Sequence, residues 1–223
     1  MEKSGRALPP TAVIVAGGDP IDPTVLDRLP HPAYVIAADS GLDHAERLGL
    51  SVDVVIGDFD SVSPNALERA QAGGALLEAH PVDKDATDLE LALERALSDA
   101  CTRAVLFGGF GGRLSHLLGN ALVLTASKFA SMNIEWHVKD ATVFVVRPSS
   151  PATLEGRLGD LTSLLAAGGD VHGIATTGLR WRLEDATLSP GSTHGISNEM
   201  TDEVAHIAIT DGVLLVVHER NQT

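Results

Sequence analysis

Cysteine is almost absent. Cys101 stands alone among 223 residues, so no internal disulfide can form, and the chain suits a reducing compartment. Long apolar runs are missing too, and none approaches the roughly 20 residues that cross a bilayer as a helix. The stretch 1–10 carries Pro9 and Pro10 and no apolar core, so it does not read as a secretory leader. Basic charge is scarce: 16 Lys and Arg face 30 Asp and Glu, a formal net charge of −14. Such a surface repels nucleic acid and anionic membranes, while it accepts a cationic small molecule and suits divalent metal. Net negative charge also keeps a protein soluble without any further role. Common catalytic signatures are lacking. There is no Gly-x-Ser-x-Gly elbow, and Cys101 has no marked partner. His31, His44, His80, His137, His172, His194, His206 and His218 are scattered without zinc-ligand spacing. The expectation is a soluble, cytoplasmic protein that binds neither nucleic acid nor membrane.

What is present falls into two rhythms. The hydrophobic content of 44% is enough for one large core or two modest ones. Up to about residue 140, short runs rich in Val, Ile and Leu alternate with amphipathic stretches. Ala12–Ala16, Ala33–Ala37, Val52–Ile56, Ala75–Ala79, Ala104–Phe107 and Ile134–Val138 read as buried strands. Between them, Leu89–Ala100 has apolar residues at helical spacing. Strand–helix alternation implies a parallel sheet covered on both faces. From Ala141 onward, Val143–Val146, Leu161–Leu165, Gly173–Thr177, Ala205–Ile209 and Val213–His218 read as strands separated by Gly-, Pro-, Asp- or Ser-rich turns. The fold class expected is α/β. An N-terminal parallel-sheet, Rossmann-like domain (1–140) is followed by a smaller C-terminal antiparallel β-sandwich domain (141–223).

Ligands of open α/β sheets bind beyond the carboxyl ends of the strands, and here those ends carry chemistry. Gly17, Gly18 and Asp19 follow the first strand, and Asp39, Ser40 and Gly41 the second. Gly57, Asp58, Phe59, Asp60 and Ser61 follow the third. Asp83, Lys84, Asp85 and Asp88 come after the fourth, and Gly108 to Arg113 after the fifth. In extended chain, Asp58 and Asp60 point to the same side and can share one hard cation such as Mg²⁺. An isolated Asp-x-Asp is equally a solvated acidic turn. Thr87 and Glu90 form a capping box, which puts Asp88 in a first helical turn where the dipole favours an acid. Asp85 has no such structural reason. The glycines before Arg113 let backbone N–H groups approach phosphate, and Arg113 adds a cation. On the helix that follows, Leu114, Leu117, Leu118, Ala121 and Leu122 mark a buried face. Arg113, His116 and Asn120 mark a different face, toward solvent or ligand.

Taken together, "ADSG" at 38–41, "GDFDS" at 57–61, "DKDATD" at 83–88, "GGRLSHLLGN" at 111–120, "TTGLRWRL" at 176–183 and "GISNE" at 195–199 resemble the thiamine pyrophosphokinase family in order. The resemblance covers nearly the whole chain. It implies an N-terminal domain binding Mg-ATP, a C-terminal β domain contributing to thiamine binding, and a homodimer with active sites at its interface. The implied reaction moves the pyrophosphoryl group of ATP to thiamine, giving thiamine diphosphate and AMP, with Mg²⁺ as cofactor. By position, Asp58, Asp60 and Asp88 would bind metal, and with Asp85 and Arg113 they would carry the catalysis. Asp39, Ser61, Gly111, Gly112, His116 and Asn120 would meet ATP. Trp181, Ser197 and Asn198 would meet thiamine, where an indole face favours a cationic ring; a core aromatic and a turn are the alternatives for the same residues.

Two positions depart from the family pattern. Ser40 stands where a Gly is usual. Ser115 stands where an Asp normally precedes the His, and a serine cannot ligand metal as that carboxylate would. Asp85 or Asp88 is the expected replacement. The alternatives are a pyrophosphokinase acting on another alcohol such as a hydroxymethylpterin, and a nucleotide-binding protein weakened by Ser115. A further one is a glycosyltransferase that uses Asp58-Phe59-Asp60 for its metal.

Overall fold

The computed structural model describes residues 11–30 and 33–221. The 1–10 segment and His31 lie outside the described residues. Two compact units are present, Met1–Val123 and Leu124–Thr223.

The first unit holds a parallel sheet of β1 (Thr11–Ala16), β2 (Tyr34–Ala38), β3 (Val54–Gly57), β4 (Leu76–Ala79) and β5 (Arg103–Phe107), in the order β5-β1-β2-β3-β4. The crossovers are a 3-10 turn at Pro23–Arg28 and the helices α1 (Gly41–Arg47), α2 (Pro64–Ala72) and α3 (Asp88–Ser98). Central strands are apolar on both faces because helices cover both. Val13, Val15, Val35 and Phe107 pack in one cluster with Ala45 of α1 and Leu48, which caps that helix. Ile14, Ile36 and Ile56 are fully buried, and α3 packs over β1, β2 and β3 with Leu89, Ala92, Leu93 and Ala96 inward. Local signals set the helix starts. Ser63 Oγ accepts the Ala66 N–H at 3.2 Å with Pro64 behind it, and Thr87 Oγ1 accepts the Glu90 N–H at 3.2 Å, the expected cap.

β4 was expected to be buried, but its ends are exposed at Leu76 and Ala79. It is the last strand in the order, so one edge and part of its faces meet solvent. A polar lattice holds it instead. Arg95 of α3 donates to Glu78 Oε2 at 2.8 Å and to Asp99 Oδ2 at 2.6 Å. The Tyr34 hydroxyl donates to the same Asp99 oxygen at 2.5 Å. Burial, and after it the bond to Asp99, pushes the Tyr34 hydroxyl pKa well above its ordinary value.

The last helix of this unit is α4 (Leu114–Val123). Its leucines were expected to be buried, yet Leu114, Leu118 and Leu122 are 67%, 56% and 64% exposed. The inward residue is Asn120. Spacing correctly places the three leucines on one stripe but does not say what covers it.

In the second unit, β6 (Asn133–Val138), β7 (Ala141–Val146), β9 (Leu161–Ala166), β12 (Asn198–Glu199) and β14 (Leu214–Glu219) pair antiparallel in the order β12-β9-β14-β7-β6. β8 (Ala152–Glu155), β10 (Val171–Thr177), β11 (Ala186–Leu188) and β13 (Val204–Ala208) form a second antiparallel sheet in the order β11-β10-β13-β8. β6, expected as the last strand of the first half, falls in this unit, where it pairs with β7. Alternation supplies the core: Leu154, Ile174, Ala205 and Ile207 from one sheet meet Val146, Leu164, Leu214 and Val216 from the other. That is a β-sandwich. The fold is the expected one, α/β followed by an antiparallel sandwich.

Candidate functional site

The strands of the first unit are parallel, so their carboxyl ends lie together. The chain runs outward from β1 through β2, β3 and β4, then returns to place β5 on the other side of β1. Ligands of such sheets sit at this reversal. The loops after β1 and β5 are laced there: the Gly109 N–H donates to Gly17 O at 2.7 Å, and the Asp19 N–H to Phe110 O at 2.9 Å. A Cβ on Gly108 would stand 2.1 Å from Ala16 O, so only glycine admits this approach. A cavity of about 580 Å³ opens over these loops, within the range of roughly 300–1,000 Å³ usual for small-ligand sites.

Acids from two neighbouring strand ends face it. Asp39 follows β2 with φ +47°, and Phe59, between Asp58 and Asp60, has φ +64°. Left-handed backbone costs a non-glycine residue about 1 kcal/mol, and such strain gathers at functional sites. Asp58 and Asp60 are therefore gathered by a turn rather than by extended alternation, and the Asp60 N–H donates to Asp58 Oδ1 at 3.1 Å. One oxygen from each of Asp39, Asp58 and Asp60 lies within 4.8 Å of the others. The Ser61 hydroxyl donates to Asp60 Oδ1 at 2.7 Å and orients it.

The electrostatics split the group. Burial pushes the Asp39 carboxyl above its usual range; the Ser40 N–H opposes this, and Asp88, Asp58 and Asp60 add to it. Asp58 is held below the usual range, first by the Asp60 N–H and then, against partial burial, by Lys84. Lys84 lies 3.3 Å from Asp58 Oδ2 and 2.9 Å from Asp88 Oδ1. Asp88 lines the cavity from the first turn of α3 but stands outside the three-acid group.

Gly111, Gly112, Arg113, His116 and Asn120 also line the cavity. The exposed Arg113 guanidinium meets the His116 ring. Asn120 Nδ2 donates to Gly109 O at 2.8 Å and ties α4 to the glycine loop. Asp85 is exposed and does not line the cavity. Ser115 is exposed as well.

The three residues expected to meet thiamine gather in the second unit. Trp181 is 54% exposed, which excludes a core role. The Arg180 guanidinium stands 5.1 Å from its ring centroid. Asn198 is buried and spends its side chain on backbone. Its Oδ1 accepts the Trp181 N–H at 3.0 Å and the Glu199 N–H at 2.9 Å, and its Nδ2 donates to Trp181 O at 2.8 Å. It holds the tryptophan rather than presenting free polar atoms. Ser197, exposed with φ +57°, donates its N–H to Ser163 Oγ at 3.1 Å.

Two residues that the sequence places at strand ends gain a specific role only in the structure. Lys84, a lone cation within "DKDATD", has no expected role although acids flank it on both sides. Gly57 is the other: a Cβ there would lie 3.2 Å from both Asp39 Cβ and Asp88 Oδ1, so glycine lets acids of separate elements close over the end of β3.

The profile of the thiamin pyrophosphokinase catalytic domain matches residues 27–136, and that of the thiamin pyrophosphokinase vitamin B1 binding domain matches residues 152–214. The chain is 27% identical over 208 residues to the thiamine pyrophosphokinase of Bacillus subtilis (strain 168), covering 93% of this chain and 97% of that one. It is 27% identical over 184 residues to thiamine pyrophosphokinase 1 of Oryza sativa subsp. japonica, covering 78% and 69%. The solved Bacillus subtilis thiamine pyrophosphokinase superposes with a TM-score of 0.82 at 26% identity, over 95% of this chain and 99% of that one. The Geobacillus thermodenitrificans structure gives 0.79 at 25% identity, over 96% and 99%. With both halves matched in order by the two parts of one family, and the same fold along nearly its whole length, the chain belongs to the thiamine pyrophosphokinase family.

Proposed function

We propose that the chain transfers the pyrophosphoryl group of ATP to the hydroxyethyl oxygen of thiamine. The observation that carries this is the Asp39, Asp58 and Asp60 group at the glycine-laced switch point, in a chain of this family. A bond forms between the thiamine oxygen and the β-phosphorus. The bond from that phosphorus to the α–β bridging oxygen breaks, AMP leaves with the electron pair, and the alcohol proton passes to the medium. Such transfers need positioning and charge neutralisation more than covalent catalysis. The pterin-alcohol alternative has no observation in its favour.

The acids fit Mg²⁺. All donors are hard carboxylate oxygens, and Asp39 Oδ1 is buried without a hydrogen-bond partner. Asp39, Asp58 and Asp60 would hold the ion, and Asp88 stands beside them against Lys84. When bound, Mg²⁺ draws charge from the phosphate oxygens. Arg113, His116 and the N–H groups of Gly111 and Gly112 receive the nucleotide phosphates, and Asn120 fixes that loop. Trp181 offers its ring to the thiazolium, with Asn198 positioning the tryptophan and Ser197 beside it.

A second copy of the chain is the partner. Leu114, Leu118 and Leu122 form an exposed stripe on the same helix as His116, where an isologous contact would bring two copies beside the nucleotide wall. Cytoplasmic residence agrees with the single, buried Cys101. Among the described residues no helix is long and apolar enough to cross a membrane.

Purified protein with Mg-ATP and thiamine should release AMP and thiamine diphosphate in equal amounts. ADP as the product refutes pyrophosphoryl transfer, and AMP appearing only with a pterin alcohol moves the acceptor. Saturable ATP binding without turnover supports a weakened enzyme. Asp58→Asn should lower kcat by at least a hundredfold with an unchanged fold; near-normal turnover removes Asp58 from the metal group.

A further inference from the structure

The acidic cluster encloses a lysine that neither the three-acid group nor the glycine loop explains. Lys84 arises from the loop before α3, and its side chain is only 13% exposed. Its Nζ lies 3.3 Å from Asp58 Oδ2 and 2.9 Å from Asp88 Oδ1. Both contacts are ion pairs, and the shorter one holds Asp88 to the ammonium.

Asp58 faces two ways. Its Oδ1 accepts the Asp60 N–H at 3.1 Å, and its Oδ2 meets Lys84. A carboxylate shared between a group of acids and one further acid is how two-metal centres are built, with ions about 3.5–4 Å apart. Here Asp39, Asp58 and Asp60 make the first position, and Asp58 with Asp88 make the second. An ammonium fills the second. It neutralises both carboxylates yet demands no octahedral shell. Gly57 keeps the space: a side chain there would press on Asp88 Oδ1 at 3.2 Å.

We propose that Lys84 is a resident cation in the place of a second divalent ion, so that the nucleotide-free protein takes up one divalent ion, at Asp39, Asp58 and Asp60. This rests on the metal role of those three acids.

The test titrates Mn²⁺ into nucleotide-free full-length protein, with bound ion counted by electron paramagnetic resonance and calorimetry. Wild type should bind one ion, weakened at least tenfold by Asp60→Asn. Lys84→Met should bind two, and Lys84→Arg, which keeps the charge, should bind one. Lys84→Gln serves where the methionine variant does not fold, with two ions again expected. Two ions in wild type, or one in both neutral variants, overturns the proposal. A wild type that binds none, or whose binding ignores Asp60→Asn, is a different failure, because it removes the metal role of the three acids themselves.

Discussion

Asn198→Ala is the most informative single change in the second unit. The buried side chain makes three hydrogen bonds to backbone, two of them to Trp181. A net hydrogen bond is worth about 1 kcal/mol, so losing three costs roughly 3 kcal/mol. For a chain of this size that lowers Tm by roughly 6–12 °C. Urea unfolding and calorimetry measure the loss. Fluorescence reports its place, because Trp136 is buried and Trp181 exposed, so a changed emission before unfolding arises at Trp181. With Trp181 released, the KM for thiamine should rise about tenfold while kcat changes less than twofold. Asn198→Asp keeps both accepted bonds but sets an acceptor against Trp181 O, and should fall between wild type and alanine. A Tm loss under about 2 °C in Asn198→Ala refutes the clamp. The full Tm loss with an unchanged thiamine KM refutes its link to the acceptor.

Gly57→Ala places a methyl group 3.2 Å from Asp39 Cβ and Asp88 Oδ1 at φ +150°. It should cost about 1–2 kcal/mol by thermal unfolding and weaken Mn²⁺ binding severalfold; a neutral result shows the acids do not close over β3. Leu118→Glu charges the middle of the α4 stripe and should shift the sedimentation coefficient from dimer to monomer, whereas an unchanged coefficient removes the stripe from the contact. Asp160 is pushed upward by burial, but the Asn221 and Arg157 N–H groups and the His218 ring outweigh this and hold it below 3.8. A depressed carboxyl stabilises the fold above its unfolded value near about pH 4, and that contribution fades as pH falls through the folded value. Asp160→Asn should therefore flatten the acid limb of the stability curve, and equal slopes for both proteins refute it.

The parallel half was legible because its strands are short apolar runs ending in Gly or Asp, as at Ala16–Gly17 and Ile56–Gly57. β4 misled because Leu76 and Leu77 are apolar while the strand is an edge; hydropathy does not record neighbours. The α4 leucines misled for a related reason, since a stripe can await a partner as well as a core. In the site, spacing found Asp58 and Asp60, but their meeting depends on the left-handed turn at Phe59, which no side-chain pattern encodes. Asp39 comes from another strand, and only the β2–β3 register brings it alongside, with Ala38 opposite Ile56. Asp85 was expected to act beside Asp88, yet the helix start commits Asp88 to the cavity and leaves Asp85 outside it.

Helix α3 carries Asp88 at one end and Arg95 near the other, where Arg95 grips Glu78 and Asp99, and Asp99 holds Tyr34. Eleven residues make a rod of about 16 Å. The setting of a carboxylate in the cavity is thus borrowed from anchors toward the far end of that rod. Those anchors do not line the cavity, yet loosening one would tilt the rod and detune the site. Tyr34, Glu78, Arg95 and Asp99 should therefore drift through evolution as a single block, under selection for aim rather than for chemistry.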